Sequence, residues 1–334
     1  MKCSVFSRLA VIATLLFSGN ASAQATYHAF VWSANTGIED LGSLGGSSYA
    51  QGINASGQVV GYYVSLLGQL RPFLWTQSGG MQDLGTLGGD AGVAAGINDS
   101  SQVVGWATTT AGAAHAFLWS AGGGMMKDLG TLGGDSSSAT GISNHGLVTG
   151  TSTKPGDRYS HAFRWRRKLG MTDLGALAGH NSYAVGINDS AVVVGESTLT
   201  ANPTPYHAFL HRPRHRMVDL GTLGGDNSIA VAINGSGSVV GNSSVSGGCC
   251  FAFVWTPAGG MQNLGPSSTS FSAAIGMNSL GAIVGNYELT SAVFHAVIWT
   301  APNQIQDLGV LGGTYSTATA INDSAQVVGY STLQ

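Results

Sequence analysis

Along most of this chain, short apolar runs alternate with polar stretches rich in Gly, Asn, Asp and Ser, and the alternation itself repeats. One stretch carries the whole pattern: Asp83 to Trp119, DLGTLGGDAGVAAGINDSSQVVGWATTTAGAAHAFLW. It has four landmarks, each of which occurs seven times. Asp-Leu-Gly begins at Asp40, Asp83, Asp128, Asp173, Asp219, Asn263 and Asp307. Gly-Ile-Asn ends at Asn54, Asn98, Ser143, Asn188, Asn234, Asn278 and Asn322. Val-Val-Gly ends at Gly61, Gly105, Gly150, Gly195, Gly241, Gly285 and Gly329. His-Ala-Phe-x-Trp begins at His28, Arg71, His115, His161, His207, Phe251 and His295. Copies are 43 to 46 residues apart, so one unit has been repeated.

Each unit predicts four short strands. Ala94–Asn98 is small and apolar, Gln102–Gly105 is β-branched, and Asn98-Asp99-Ser100-Ser101 between them is turn chemistry. Ala116–Trp119 is aromatic and apolar, and Met126–Leu129 follows it across Ala121-Gly122-Gly123-Gly124. Two hairpins per unit, repeated seven times, predict an all-β, seven-bladed β-propeller. The Gly-Ile-Asn segment becomes strand A at the crowded centre, Val-Val-Gly strand B, His-Ala-Phe-x-Trp strand C, and Asp-Leu-Gly closes strand D. The chain starts with strands C and D and ends with A and B, so both ends would complete one blade and leave no free sheet edge. A parallel β-helix with two coils per unit is the rival, but its ends need caps that this pattern does not supply.

The first segment stands outside the pattern. Lys2 and Arg8, an apolar run from Leu9 to Phe17, and Ala21-Ser22-Ala23 read as a secretory leader, residues 1–23, with residues 24–334 as one propeller domain. No later run is long enough to span a membrane. Charged residues are only 9% of the chain, and without the leader 11 basic face 16 acidic residues, so nucleic acid is not the expected partner. Cys249 and Cys250 are adjacent; a vicinal disulfide, an intermolecular bond and reduced thiols all remain open.

The motifs Asp-Leu-Gly-Thr-Leu-Gly-Gly, Gly-Ile-Asn-Asp-Ser, Val-Val-Gly and His-Ala-Phe-Leu-Trp resemble the extracellular HAF repeat family. The resemblance spans the chain beyond the leader and implies an exported bacterial repeat protein without catalytic residues to carry over. Departures are local: Arg71-Pro72-Phe73, His211 for Trp, Phe251-Ala252-Phe253, and Pro266-Ser267-Ser268 for the glycine link.

Repeated polar residues read as structure. The histidines lie off the axis and are missing from two copies, which opposes a metal ring and favours hydrogen bonding within each blade. The Asp-Leu-Gly aspartates read as a turn device, and the Asn-Asp-Ser sequons at Asn98, Asn188 and Asn322 as hairpin turns. Unrepeated residues are freer for function. Nine of the 11 basic residues beyond the leader fall between Lys154 and Arg216. They include Arg164-x-Arg166-Arg167-Lys168 and His211-Arg212-Pro213-Arg214-His215-Arg216, both placed at the turn between strands C and D of successive copies. On a propeller these turns share a rim, one blade apart, and suit phosphate, sulfate or carboxylate groups. The candidate ligand residues are Arg166, Arg167, Lys168, Arg212, Arg214 and Arg216. A weaker candidate is the Ser246-Gly247-Gly248-Cys249-Cys250 loop.

The expectation is an exported, non-enzymatic monomer without metal or cofactor that binds an anionic glycan or envelope polymer. One alternative is a polysaccharide hydrolase or lyase at the channel mouth, for which Glu196 and Glu288, placed just after strand B, are the unrepeated acids. Another is a purely structural extracellular repeat protein with weak equivalent contacts on every blade.

Overall fold

A computed structural model describes residues 25–201, 205–247, 250–265, 271–290, 293–301 and 304–333. The leader, Cys249 and Pro266-Ser267-Ser268 lie outside the described residues. Twenty-eight strands form seven four-stranded antiparallel sheets, a seven-bladed β-propeller. Strands A of blades I to VII are Ser48–Ile53, Gly88–Ile97, Ser137–Ile142, Ser182–Ile187, Gly224–Ile233, Ser272–Met277 and Ser316–Ile321. Each contacts the next around the axis. Blade VII is composite: Ser316–Ile321 and Val327–Thr332 pair with Tyr27–Ser33 and Gly37–Asp40 from the other end of the chain. The β-helix rival is thereby excluded.

The repeated residues explain the blade. The glycine of Val-Val-Gly sits on strand B opposite the strand A alanine, as Gly195 does opposite Ala184. A Cβ there would lie 1.9 Å from the Tyr183 carbonyl oxygen, and the other six copies are as tight, so only glycine fits. Strand A bulges once in every blade beside that contact, as between Ala184 and Gly186. Between blades, the first Val-Val valine, the His-Ala-Phe phenylalanine and the following tryptophan pack against aliphatic residues of the preceding blade. Val103, Phe117 and Trp119 of blade II meet Val60 and Leu74 of blade I in this way. Phe30, Phe73, Phe117, Phe163, Phe209 and Phe253 are fully buried, each contributing about 2–3 kcal/mol of hydrophobic stabilisation. Strand B runs further than the pattern implies, to Thr109 in blade II and Thr198 in blade IV. Glu196 and Glu288 therefore lie inside strand B (Val193–Thr198 and Ile283–Thr290), not after it.

Candidate functional site

In five of the seven blades a histidine and an aspartate form one link. Nδ1 of His28, His161, His207 and His295 lies 2.8 Å from the nearer carboxylate oxygen of Asp40, Asp173, Asp219 and Asp307, and His115 lies 2.7 Å from Asp128. The same aspartates accept a backbone N–H two residues on, from Gly42 to Gly309, which closes the turn leaving the blade. The exceptions are matched. Arg71 replaces His and holds Asp83 through Nε and Nη2 at 3.0 and 3.1 Å. Phe251 replaces His where Asn263 replaces Asp, so both halves of the link go together, yet Asn263 still accepts from Gly265. In blade III, burial pushes the Asp173 carboxyl up, but bonds from His161, Lys154 and Gly175 outweigh it and hold it well below the usual carboxylate range. Among the described residues no group of three His, Cys, Asp or Glu side chains could hold a metal ion.

The Gly-Ile-Asn asparagines are also structural. Asn54, Asn98, Asn188, Asn278 and Asn322 each donate Nδ2 to the backbone carbonyl of the equivalent residue in the next blade. The sequon residues Asn98, Asn188 and Asn322 are at most 6% exposed and use both ends of the carboxamide, which leaves no amide presented to solvent.

The basic clusters occupy neighbouring blades, III and IV, at the face bearing the A–B and C–D turns. Arg167 and Lys168 are exposed in the turn between Ser160–Arg166 and Gly170–Asp173. Arg212, Arg214 and Arg216 are exposed between Tyr206–His211 and Met217–Asp219, with Arg214 in a left-handed conformation at φ 64°. Arg166 differs from its expected place: it ends strand C, is half-buried, and its Nε is buried without a hydrogen-bond partner. The only described arginine or lysine ion pairs with carboxylates are Arg71–Asp83 and Lys154–Asp173, so the rim cations have no acid within 4 Å. Arg164 and His211 belong to the same clusters but are buried strand residues, 9% and 7% exposed. Their inward direction follows from the strand alternation, a signal present in the sequence and overridden there by their position within charge runs.

The acids proposed for an enzyme do not pair. Glu196 in blade IV is 5% exposed, its Oε2 has no partner, and burial pushes its carboxyl up to about 8. Glu288 in blade VI lies beside the Phe271 N–H at 3.3 Å. Two blades separate them. Cys250, of the weaker candidate loop, begins strand C of blade V and is buried.

The molecule belongs to the class of seven-bladed β-propellers. No family model matches the chain, and no curated protein matches it. Among solved structures it is similar to putative TolB from Agrobacterium tumefaciens, with TM-score 0.52 and 10% identity over 93% of this chain and 99% of that one. TolB from Acinetobacter baumannii is similar with TM-score 0.50 and 9% identity over 81% of this chain. A prolyl endopeptidase gives TM-score 0.57 and 12% identity, again over 81%. The chain spans 63% and 44% of the length of the last two. At these identities the likeness defines the fold alone.

Proposed function

We propose that this protein is an exported, non-enzymatic propeller of the HAF repeat type that binds an anionic glycan or envelope polymer as a monomer. The HAF reading rests on the four landmark motifs, and export on the leader at residues 1–23. The observation that carries the binding reading is the run of uncompensated cations along one rim. Arg166, Arg167, Lys168, Arg212, Arg214 and Arg216 lie on two adjacent blades of a chain with an acidic balance, and none has a carboxylate partner. Charges arranged this way lower the energy of a polyanion laid across the two turns, and salt screens the attraction over about 10 Å at 0.1 M. The repeated His–Asp links and Asn carboxamides are occupied in building the ring, whereas the rim cations are free to meet a ligand.

The test is retention on dextran sulfate, polygalacturonate and neutral dextran across a salt gradient. The variant with all six residues changed to Ser runs beside the native protein. Native retention on both anionic matrices, lost with rising salt and absent in the variant, supports the reading. Equal behaviour of the two proteins would discard it.

A further inference from the structure

Behind the rim, the seam between blades III and IV differs from the other six seams at positions that face each other. At the residue after the strand C phenylalanine position, blades other than III carry Val31, Leu74, Leu118, Leu210, Val254 or Ile298; blade III carries Arg164. At the tryptophan position, the blade facing it carries His211, where every other blade keeps Trp. Ala162 packs with Val193 and Phe209 of blade IV. Strand alternation extends that face of blade III to Arg164 and Arg166, and extends the Phe209 face of blade IV to His211. An aliphatic–tryptophan contact has thus become an arginine–histidine contact. Thr149 stands on the same seam where six blades have Val, its hydroxyl donating to the Phe163 carbonyl at 2.7 Å.

These exchanges bury polar nitrogens that no carboxylate among the described residues answers. The Arg164 Nη1 donates to the Ala191 carbonyl at 3.1 Å and has no carboxylate within reach. Arg166 Nε and His211 Nδ1 are buried and unpartnered. Burial first, and the Arg166 charge second, pull the Arg164 guanidinium down; burial and then the Arg164 charge do the same to His211. A buried cation without a counter-charge costs several kcal/mol, and an imidazole fills less of the seam than the indole it replaces. We infer that this seam binds one tetrahedral oxyanion, a phosphate or sulfate group, held by Arg164, Arg166 and His211. Guanidinium N–H groups match such oxygens, and their approach from two blades suits a three-dimensional anion. The group is either free or an ester on the polymer, and in the second case the inference rests on the proposed polyanion reading and names its recognised substituent.

The experiment follows thermal unfolding and calorimetric titration with sodium phosphate and sodium sulfate, against sodium chloride and acetate at equal ionic strength. A sulfated oligosaccharide forms a separate arm. The double variant Arg164→Leu/His211→Trp restores the apolar contact of the other seams and therefore retains the fold. A rim variant, with Arg167, Lys168, Arg212, Arg214 and Arg216 changed to Ser, leaves the seam intact. Expected are saturable phosphate or sulfate binding by native and rim proteins within about twofold, and at least a tenfold loss in the double variant. Should the double variant misfold, Arg164→Gln and His211→Asn are titrated singly, with the same loss expected. Tighter binding of the sulfated oligosaccharide than of sulfate marks the polymer ester as the source; equal binding marks the free anion. If the rim variant loses polymer retention but keeps sulfate, both sites stand. If no native protein is retained on polymer yet sulfate binds at the seam, only the polymer reading fails. Sulfate and phosphate acting no differently from chloride, or binding unchanged in the double variant, overturns the seam site.

Discussion

At the residue scale, most polar groups of this protein are consumed by construction, and Glu196 is one exception with a measurable signature. It occupies the position after Val-Val-Gly that Asn242 fills in blade V. There the carboxamide donates to the Ala274 carbonyl at 3.0 Å and accepts the Ala274 N–H at 2.9 Å. Glu196 Oε2 has no such partner, and its carboxyl titrates near 8 in the folded chain against 4.5 unfolded. Between those values the folded state holds the extra proton, so stability falls as pH rises from about 4.5 to about 8. Glu196→Gln removes the ionisation and should be close to neutral at pH 4.5. By pH 8 it should be more stable than the native protein by on the order of 2–4 kcal/mol. Chemical denaturation at both pH values checks this, and a gain that is the same at pH 4.5 and pH 8 would refute the buried-carboxyl account. The inferred seam anion belongs to this scale too, because two side-chain exchanges create it.

At the scale of the element, six of the seven seams are tied by a serine in strand A. Ser48, Ser137, Ser182, Ser228, Ser272 and Ser316 accept the N–H of the strand C alanine in the preceding blade. The seventh seam has no donor to satisfy, since Pro72 replaces that alanine, and there the serine position is Gly92. Pro72→Ala places a buried N–H opposite Gly92 with no acceptor and should cost about 1–3 kcal/mol. Adding Gly92→Ser should recover most of that loss, and a double-mutant cycle with coupling near zero would dismiss the link. Periodicity made this level of the molecule legible. Strand type, strand order and the structural roles of the repeated histidines and aspartates follow from period two and from copy number, whereas the pairing of the two residues does not. What the sequence concealed were partners across blades: Pro72 with Gly92, and Arg164 with His211. Their members are about 20 and 47 residues apart, and only the ring geometry makes them neighbours. Charge runs misled in a related way, because Arg164, Arg166 and His211 read as turn residues while the alternation of strand C turns them into the seam.

At the scale of the whole molecule, the ring depends on its two ends meeting in one blade. Tyr27–Ser33 pairs with Val327–Thr332, Thr319 donates to the Ala50 carbonyl at 2.9 Å, and Asn322 donates to Asn54 at 3.0 Å. Tyrosines seal the same junction: Tyr27 stacks on Tyr49 at 5.7 Å, and Tyr49 meets Tyr330 edge-on at 5.0 Å. Removing residues 25–40 would strip Ala29, Phe30 and Trp32 from the core and leave Val327–Thr332 as a bare edge. Lost aromatic burial of about 3–5 kcal/mol per ring is a large share of the 5–15 kcal/mol that holds an ordinary domain folded. The truncated protein should therefore lose its cooperative thermal transition and aggregate. A circular permutant beginning at Ser43, with residues 25–42 joined after Thr332 through a short loop like Ser65–Gln69, makes blade VII continuous. It should melt cooperatively within a few degrees of the native protein. Circular dichroism melts of the three proteins decide the matter. A truncated chain that melts like the native one would mean that six blades and a half-blade suffice. The rim and the seam at blades III and IV would then be presented by an open ring rather than by a closed one.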